Sequence, residues 1–226
     1  MTLDVSPNTP LRPLRYNGTA YGIALGVATL LATIVLAHHP MPAHDAASPL
    51  AAIAVIATVD RWVHGALIAA MLWFALCFSG FSWRLGFGHP LVMGAWLSYV
   101  CGAIFISLAG LIDGFWLPDV AALARPSALD QIALLLIANQ GLTRLGLTLI
   151  GVAGVFWGHA LLHHRGGARW IGFVAMATGG FSAAITLTAP HRIEMPELFE
   201  FMALQAVWNL TVAAWMVRGL KRPEGV

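Results

Sequence analysis

The sequence predicts an all-α, polytopic membrane helix bundle with six transmembrane helices and both termini cytoplasmic. Three observations lead there: composition, the length of the apolar runs, and the side on which the cations fall. Of 226 residues, 59% are hydrophobic and 10% charged, and the mean hydropathy is +0.78. A soluble domain is about 45–50% apolar and about 25% charged. So few charges cannot cover a water-facing surface, and disordered, collagenous and disulfide-framework classes are excluded as well. The net charge of +2 is too small to suggest nucleic acid as a partner; the partner implied is the lipid bilayer. Cys77 and Cys101 both fall inside apolar runs, so they form no secreted framework and report no redox compartment.

A spanning helix needs about 20 mostly apolar residues, because the hydrocarbon core is about 30 Å thick. Six runs meet that need: Thr19 to Ala37, Trp62 to Phe81, Leu91 to Ile112, Leu129 to Leu162, Trp170 to Ala189, and Leu198 to Val217. They are continuous rather than alternating, and too long for barrel strands. The first run follows basic residues as a signal peptide would, but no small-x-small cleavage site follows it, so it reads as a retained span. Gly18, Gly22 and Gly26 recur along it every four residues, a smooth face for close helix packing within the monomer. The connecting segments are short and rich in Pro, Gly, His and Asp, which implies no appended soluble domain. The chain divides into a cytoplasmic N-terminal segment (1–18), the six-helix domain (19–217) and a cytoplasmic C-terminal tail (218–226).

The fourth run is too long for one crossing. Continuous from Leu129 to Leu162, it would measure about 50 Å at about 1.5 Å per residue. Either it projects beyond the bilayer, which is the simpler expectation, or it breaks near Asn139-Gln140-Gly141 into a discontinuous helix of the kind that lines transporter sites.

Orientation follows from Lys and Arg. Arg12, Arg15, Arg84, Arg165, Arg169, Arg218, Lys221 and Arg222 fall on one side, and Arg61, Arg125 and Arg192 on the other. Acids sort oppositely: Asp45, Asp60, Asp113, Asp119, Asp130, Glu194, Glu197 and Glu200 lie on the cation-poor side. The basic side is therefore cytoplasmic. Trp62, Trp83, Trp116, Trp170 and Trp215 near helix ends suit interfacial anchoring.

Two candidate sites emerge. Arg144 lies in the fourth run with Gln140 and Thr148 one turn to either side, a polar stripe on one helix face. An arginine inside the bilayer costs at least about 2.5–3.5 kcal/mol and needs a partner. The sixth run offers a matching stripe of Glu200, Gln205 and Asn209, Asp60 and His64 share a helix face at the mouth, and Asp60, Asp113 and Glu197 are alternative carboxylates near the outer face. This set could bind or move a small solute or ion, and a structural ion pair would use the same residues. The second site is histidine-rich. His38, His39, His44, His64 and His191 share the outer side with most of the acids, a composition suited to a divalent metal such as zinc or copper, and hence to a metal-binding protein or metal-dependent membrane enzyme. No established zinc motif is present, and titratable loop histidines without an ion would look the same. A haem is disfavoured, because His64 near the outer face and His159 near the inner one cannot share it, which leaves only an outer haem between His64 and His191 or a first-loop histidine, with no further support. His159 and His163, four residues apart, read as a basic helix end among headgroups. Ser79, Ser98, Ser107 and Ser182 lie in the spans, where hydroxyls bond a neighbouring helix or their own backbone.

The stretches Arg61-Trp62-Val63-His64-Gly65, Asp113-Gly114-Phe115-Trp116-Leu117-Pro118 and Gln205-Ala206-Val207-Trp208-Asn209-Leu210 are similar to uncharacterised bacterial six-helix membrane proteins. The resemblance implies the six-helix topology and a multi-pass place in a bacterial inner (cytoplasmic) membrane, and it brings no catalytic or binding residues. The function expected is binding or transport of a small solute or ion, or service as a membrane subunit of a homo- or hetero-oligomeric assembly.

Overall fold

The computed structural model describes residues 17–40, 48–123, 125, 127–188, 193 and 195–218. The N-terminal segment before these residues, the end of the C-terminal tail, His44 and His191 lie outside them. All described secondary structure is helical. The long helices are α1 (Gly18–Ala37), α2 (Pro49–Leu85), α3 (Pro90–Leu111), α5 (Ala128–Leu162), α6 (Gly167–Thr188) and α7 (Met195–Val217). A single π-helical turn (Ile112–Trp116) and a short α4 (Leu117–Ala122) prolong α3. The first three starts have a local cause. Asn17 Oδ1 accepts from the Ala20 N–H at 3.1 Å, Ser48 Oγ from Ala51 at 3.2 Å, and His89 Nδ1 from Leu91 at 3.3 Å. Pro49 and Pro90 occupy the first helical positions, where a missing N–H costs nothing. Gly86 at φ +95° ends α2 in the left-handed conformation that favours glycine.

Among the described residues, five segments are long and apolar enough to cross a membrane: Gly18–Ala37, Leu50–Leu85, Pro90–Ala122, Ala128–Leu162 and Gly167–Thr188. Helix α7 has the length but falls outside that set, since Glu197, Glu200, Gln205 and Asn209 dilute it. The long helices close a ring in the order α1, α2, α3, α5, α6, α7 and back to α1. Their outward faces carry Ile23, Val27, Leu30, Leu72, Leu97, Ile104, Phe173 and Leu187, all exposed. Such apolar faces suit lipid contact, and an all-helical backbone satisfies its own hydrogen bonds there.

Inside the ring the core is aromatic. Phe78 stacks on Trp157 with centroids 4.8 Å apart and lies 6.3 Å from Trp208 in parallel. Phe81 meets Trp157, Trp208 and Trp215 edge-on at 5.6, 5.9 and 5.7 Å, the offsets that ring quadrupoles favour. The buried indole N–H of Trp157 donates to Ser82 Oγ at 3.0 Å. Trp215 differs from the interfacial role expected of it: it is buried, with the Arg84 guanidinium 4.0 Å above its ring. Arg84 Nη1 also donates to the Met216 carbonyl at 3.1 Å, so one cation closes the end of the aromatic core and caps α7.

Small residues let the ring close. A Cβ on Gly22 would sit 2.8 Å from Met216 Cβ and 2.9 Å from the Ala213 carbonyl oxygen, so the glycine face of α1 packs on α7 within the monomer. The tightest backbone-to-backbone approach joins α5 and α6, where a Cβ on Gly179 would lie 2.5 Å from the Gly151 carbonyl oxygen.

Three stretches outrun the rest: α2, α3 with the π turn and α4, and α5. At about 1.5 Å per residue, α1 measures about 30 Å and α2 about 55 Å. Helix α5 is continuous from Ala128 to Leu162, so of the two courses open to it the simpler, unbroken one is found and the alternative break at Asn139–Gly141 does not occur. The N-terminal parts of α2 and α5, with the π turn and α4, run past the end of α1 and pack on one another. They bury a second core of Ile112, Leu117, Ala121 and Ile132, flanked by Leu50, Ile53 and Leu135. The short loops anticipated there are therefore a three-element helical cap, and the second helix begins thirteen residues before Trp62. Asp60 and Arg61 look like a membrane boundary in sequence. They sit mid-helix because each has a tertiary partner: Arg61 pairs with Asp119 of α4, and Asp60 faces two histidines.

Because the α5–α6 contact is backbone against backbone, Gly179→Ala should lower stability by about 1–3 kcal/mol through overpacking. Unfolding of the purified protein in mixed micelles measures this; an unchanged midpoint would show that the two helices separate freely.

Candidate functional site

The junction of ring and cap gathers the polar residues. Helix α2 places Asp60 and His64 four residues apart on one face. His64 Nδ1 lies 3.0 Å from the Asp60 carbonyl oxygen and 3.2 Å from Asp60 Oδ1. Its Nε2 lies 3.3 Å from Asp113 Oδ2. His39, just past the end of α1, brings Nε2 to 3.7 Å from Asp60 Oδ1, and its ring meets His64 edge-on with centroids 5.1 Å apart. Asp60 and His64 are buried, while His39 and Asp113 are half-buried. Despite these neighbours, Asp60 Oδ1 accepts no hydrogen bond.

Asp113 reaches His64 because it stands in the π turn. A π turn widens the helix and shifts the side chains that follow, and such turns recur at functional sites. Gly114, next to it, is where the two elements touch: a Cβ there would lie 2.7 Å from His64 Cγ and closer still to its Cβ. Nothing larger than glycine leaves room for the imidazole.

Beside this cluster opens a cavity of about 440 Å³. Its polar end is formed by His64, Asp113, Asn139 and Gln140, and its walls by apolar residues including Leu67, Met71, Phe74 and Ile106. Asn139 Nδ2 donates to the Ala109 carbonyl at 3.0 Å, which ties α5 to α3. Gln140 clamps the backbone ahead of α7: its Nε2 donates to the Ile193 carbonyl at 3.3 Å, and its Oε1 accepts from the Ile193 N–H at 3.0 Å. Ser107 Oγ, on the cavity wall, is buried with no partner.

The structure distributes the expected site residues over several places. Asp60, His64 and Gln140 belong to the junction and its cavity. Arg144 is half-buried one turn further along α5 and is not a free cation. Thr148 donates to Thr186 Oγ1 at 3.2 Å, which uses that part of the stripe to join α5 to α6. On α7, Gln205 Nε2 donates to Asn209 Oδ1 at 2.9 Å, and Glu200 is exposed. Among the described residues lining the cavity, Arg144, Glu200, Gln205 and Asn209 do not appear. Of the five outer histidines, His39 and His64 come together. His38 is exposed, its Nδ1 2.8 Å from the Ile34 carbonyl oxygen of its own helix, and His44 and His191 lie outside the described residues. His159 and His163 contact each other at the opposite end of α5, with ring centroids 5.1 Å apart. Sequence offered Asp113 only as an alternative carboxylate near the outer face and Asn139 only at the possible break of α5; the Asp-Gly pair inside an apolar run was the available signal for placing the first.

No family model, curated protein or solved structure matches the chain. The fold therefore defines a class, an apolar helical bundle compatible with an integral membrane protein, and the site must be read from its own chemistry.

Gly114→Ala should displace His64 from Asp113 and cost about 1–3 kcal/mol by overpacking. Gly110→Ala, whose Cβ would meet Ile68 Cγ1 at an ordinary 3.4 Å, should cost markedly less. Comparing the two unfolding midpoints checks that the loss comes from the His64 contact and not from the added methyl group.

Proposed function

We propose that this chain is a multi-pass protein of a bacterial inner membrane that binds a small amphipathic solute at the junction of its helical ring and cap. The observation that carries the reading is the cavity of about 440 Å³, which falls within the size range of small-molecule pockets and combines apolar walls with a few convergent polar groups. A solute's apolar body would lie along Leu67, Met71, Phe74 and Ile106. Its polar head would face His64 and the Asp113 carboxylate, where a hydrogen-bond donor or a positive charge is favoured. Ser107 Oγ, buried without a partner on the same wall, is a hydrogen-bonding group that a bound molecule would satisfy.

All six long helices cross the membrane in this reading. Both termini are cytoplasmic, since Arg84, Arg165, Arg169 and Arg218 fall at the end of the ring shared by the α1 N-terminus and the α7 C-terminus, with Arg61 and Arg125 at the other. Helix α7 then contributes a polar span whose Asn209 is buried inside the bundle. The cap and the mouth of the cavity belong to the outer side.

Two measurements test this. Ser107→Leu, which fills the cavity from an existing wall position, should leave the protein folded and abolish co-purification of any small molecule seen by native mass spectrometry of the wild type. An undiminished adduct would place the solute elsewhere. Arg125→Cys in a background lacking Cys77 and Cys101 should react with a membrane-impermeant maleimide in intact spheroplasts; protection until the membrane is lysed would invert the topology.

A further inference from the structure

We infer that His39, Asp60 and His64 form a binding site for a divalent transition-metal cation of the zinc type, with Asp113 as the carboxylate that orients His64. This site adjoins the cavity and does not depend on the solute reading. His39, Asp60 and His64 each offer a ligand atom, and those atoms all lie within 4.8 Å of one another. Zinc–ligand bonds of about 2.0–2.1 Å in tetrahedral geometry put neighbouring ligand atoms about 3.4 Å apart. The separations around Asp60 Oδ1, 3.2 Å to His64 Nδ1 and 3.7 Å to His39 Nε2, bracket that spacing.

The second observation is independent of spacing. Asp60 is only 6% exposed, and its Oδ1, aimed between the two imidazoles, accepts no hydrogen bond. A buried carboxylate oxygen left unsatisfied is costly. A cation between Oδ1 and the two ring nitrogens removes that cost. The donor set selects the metal: two imidazoles and one carboxylate suit zinc or copper, whereas calcium and magnesium call for oxygen ligands throughout.

The outer partner is also in place. A ligating histidine usually gives its remaining ring N–H to a carboxylate, which fixes tautomer and ring orientation. With Nδ1 on the cation, Nε2–H of His64 points to Asp113 Oδ2 at 3.3 Å. The proton that Nδ1 would otherwise share with the Asp60 carbonyl, 3.0 Å away, leaves as the cation enters. Three protein ligands leave one tetrahedral position for water or a fourth donor.

The test uses the full chain, purified with a tag free of histidine clusters and without chelator. About one zinc per chain by elemental analysis is expected. Cobalt added to the stripped protein should give the intense visible bands of tetrahedral coordination. Asp60→Asn and His39→Ala should each weaken cobalt binding at least about 10-fold, and Asp113→Asn by about 10–100-fold. His39 lies at the open end of α1, so His39→Ala keeps the test valid if Asp60→Asn fails to fold. Ser107→Leu should leave metal binding intact even where it abolishes the solute, which separates failure of one reading from failure of the other. Absence of stoichiometric zinc together with no tetrahedral cobalt spectrum would overturn the proposal. So would cobalt binding that the folded His39→Ala and Asp113→Asn variants retain at wild-type strength.

Discussion

An apolar surround leaves a polar group inside this protein nowhere to go but to another part of the chain, and the rest of the structure follows from that constraint. It requires helices throughout, because only a helix satisfies its own backbone without water. It then applies to each polar side chain in turn. The Trp157 indole finds Ser82, Asn139 finds the Ala109 carbonyl, and Arg84 finds the last carbonyls of α7. These bonds cross between helices, so satisfying polarity also fixes which helix lies beside which.

The junction of ring and cap is where that constraint is hardest to meet. Asp60, Arg61 and His64 occur within five residues of one helix, well inside its length. Arg61 is answered by Asp119 at the exposed side of the cap. Asp60 and His64 turn inward, toward His39 from α1 and Asp113 from the π turn. Three separate stretches of chain thus meet at one imidazole, and Gly114 is small because that meeting leaves no volume for a side chain. Within this cluster Asp60 Oδ1 is left unanswered, and that gives the junction a chemical direction.

Shape and polarity then divide the molecule by depth. One end of the ring is filled by packed aromatic rings. The other is left partly open, with a cavity beneath the cap whose walls are apolar and whose rim is polar. That division explains why the polar stripe of α5 does not act as one unit. Gln140 and Asn139 brace the rim and Thr148 joins α5 to α6, while Arg144 stands between them.

Much of the architecture was legible in the sequence, since the apolar runs must be helical and long enough to leave water, and that demand is local. The glycine face of α1 could be read for the same reason, whereas local sequence left α5 open between an unbroken helix and one broken at Asn139–Gly141. Periodicity and composition did not show that Pro49–Val59 continues α2, that α3 passes through a π turn, or that a cap exists. Asp60-Arg61 and Asp113-Gly114 look like boundaries until their partners are known, and those partners lie up to 58 residues away in the chain. The same distance separates sequence from site: spacing alone could pair Asp60 with His64, but only tertiary packing brought His39 and Asp113 to them and left His38 facing away. Sequence determined which segments must leave water, because that depends on each segment's own side chains. Tertiary structure decided which polar groups answer one another, because that depends on helices that meet only when the ring closes.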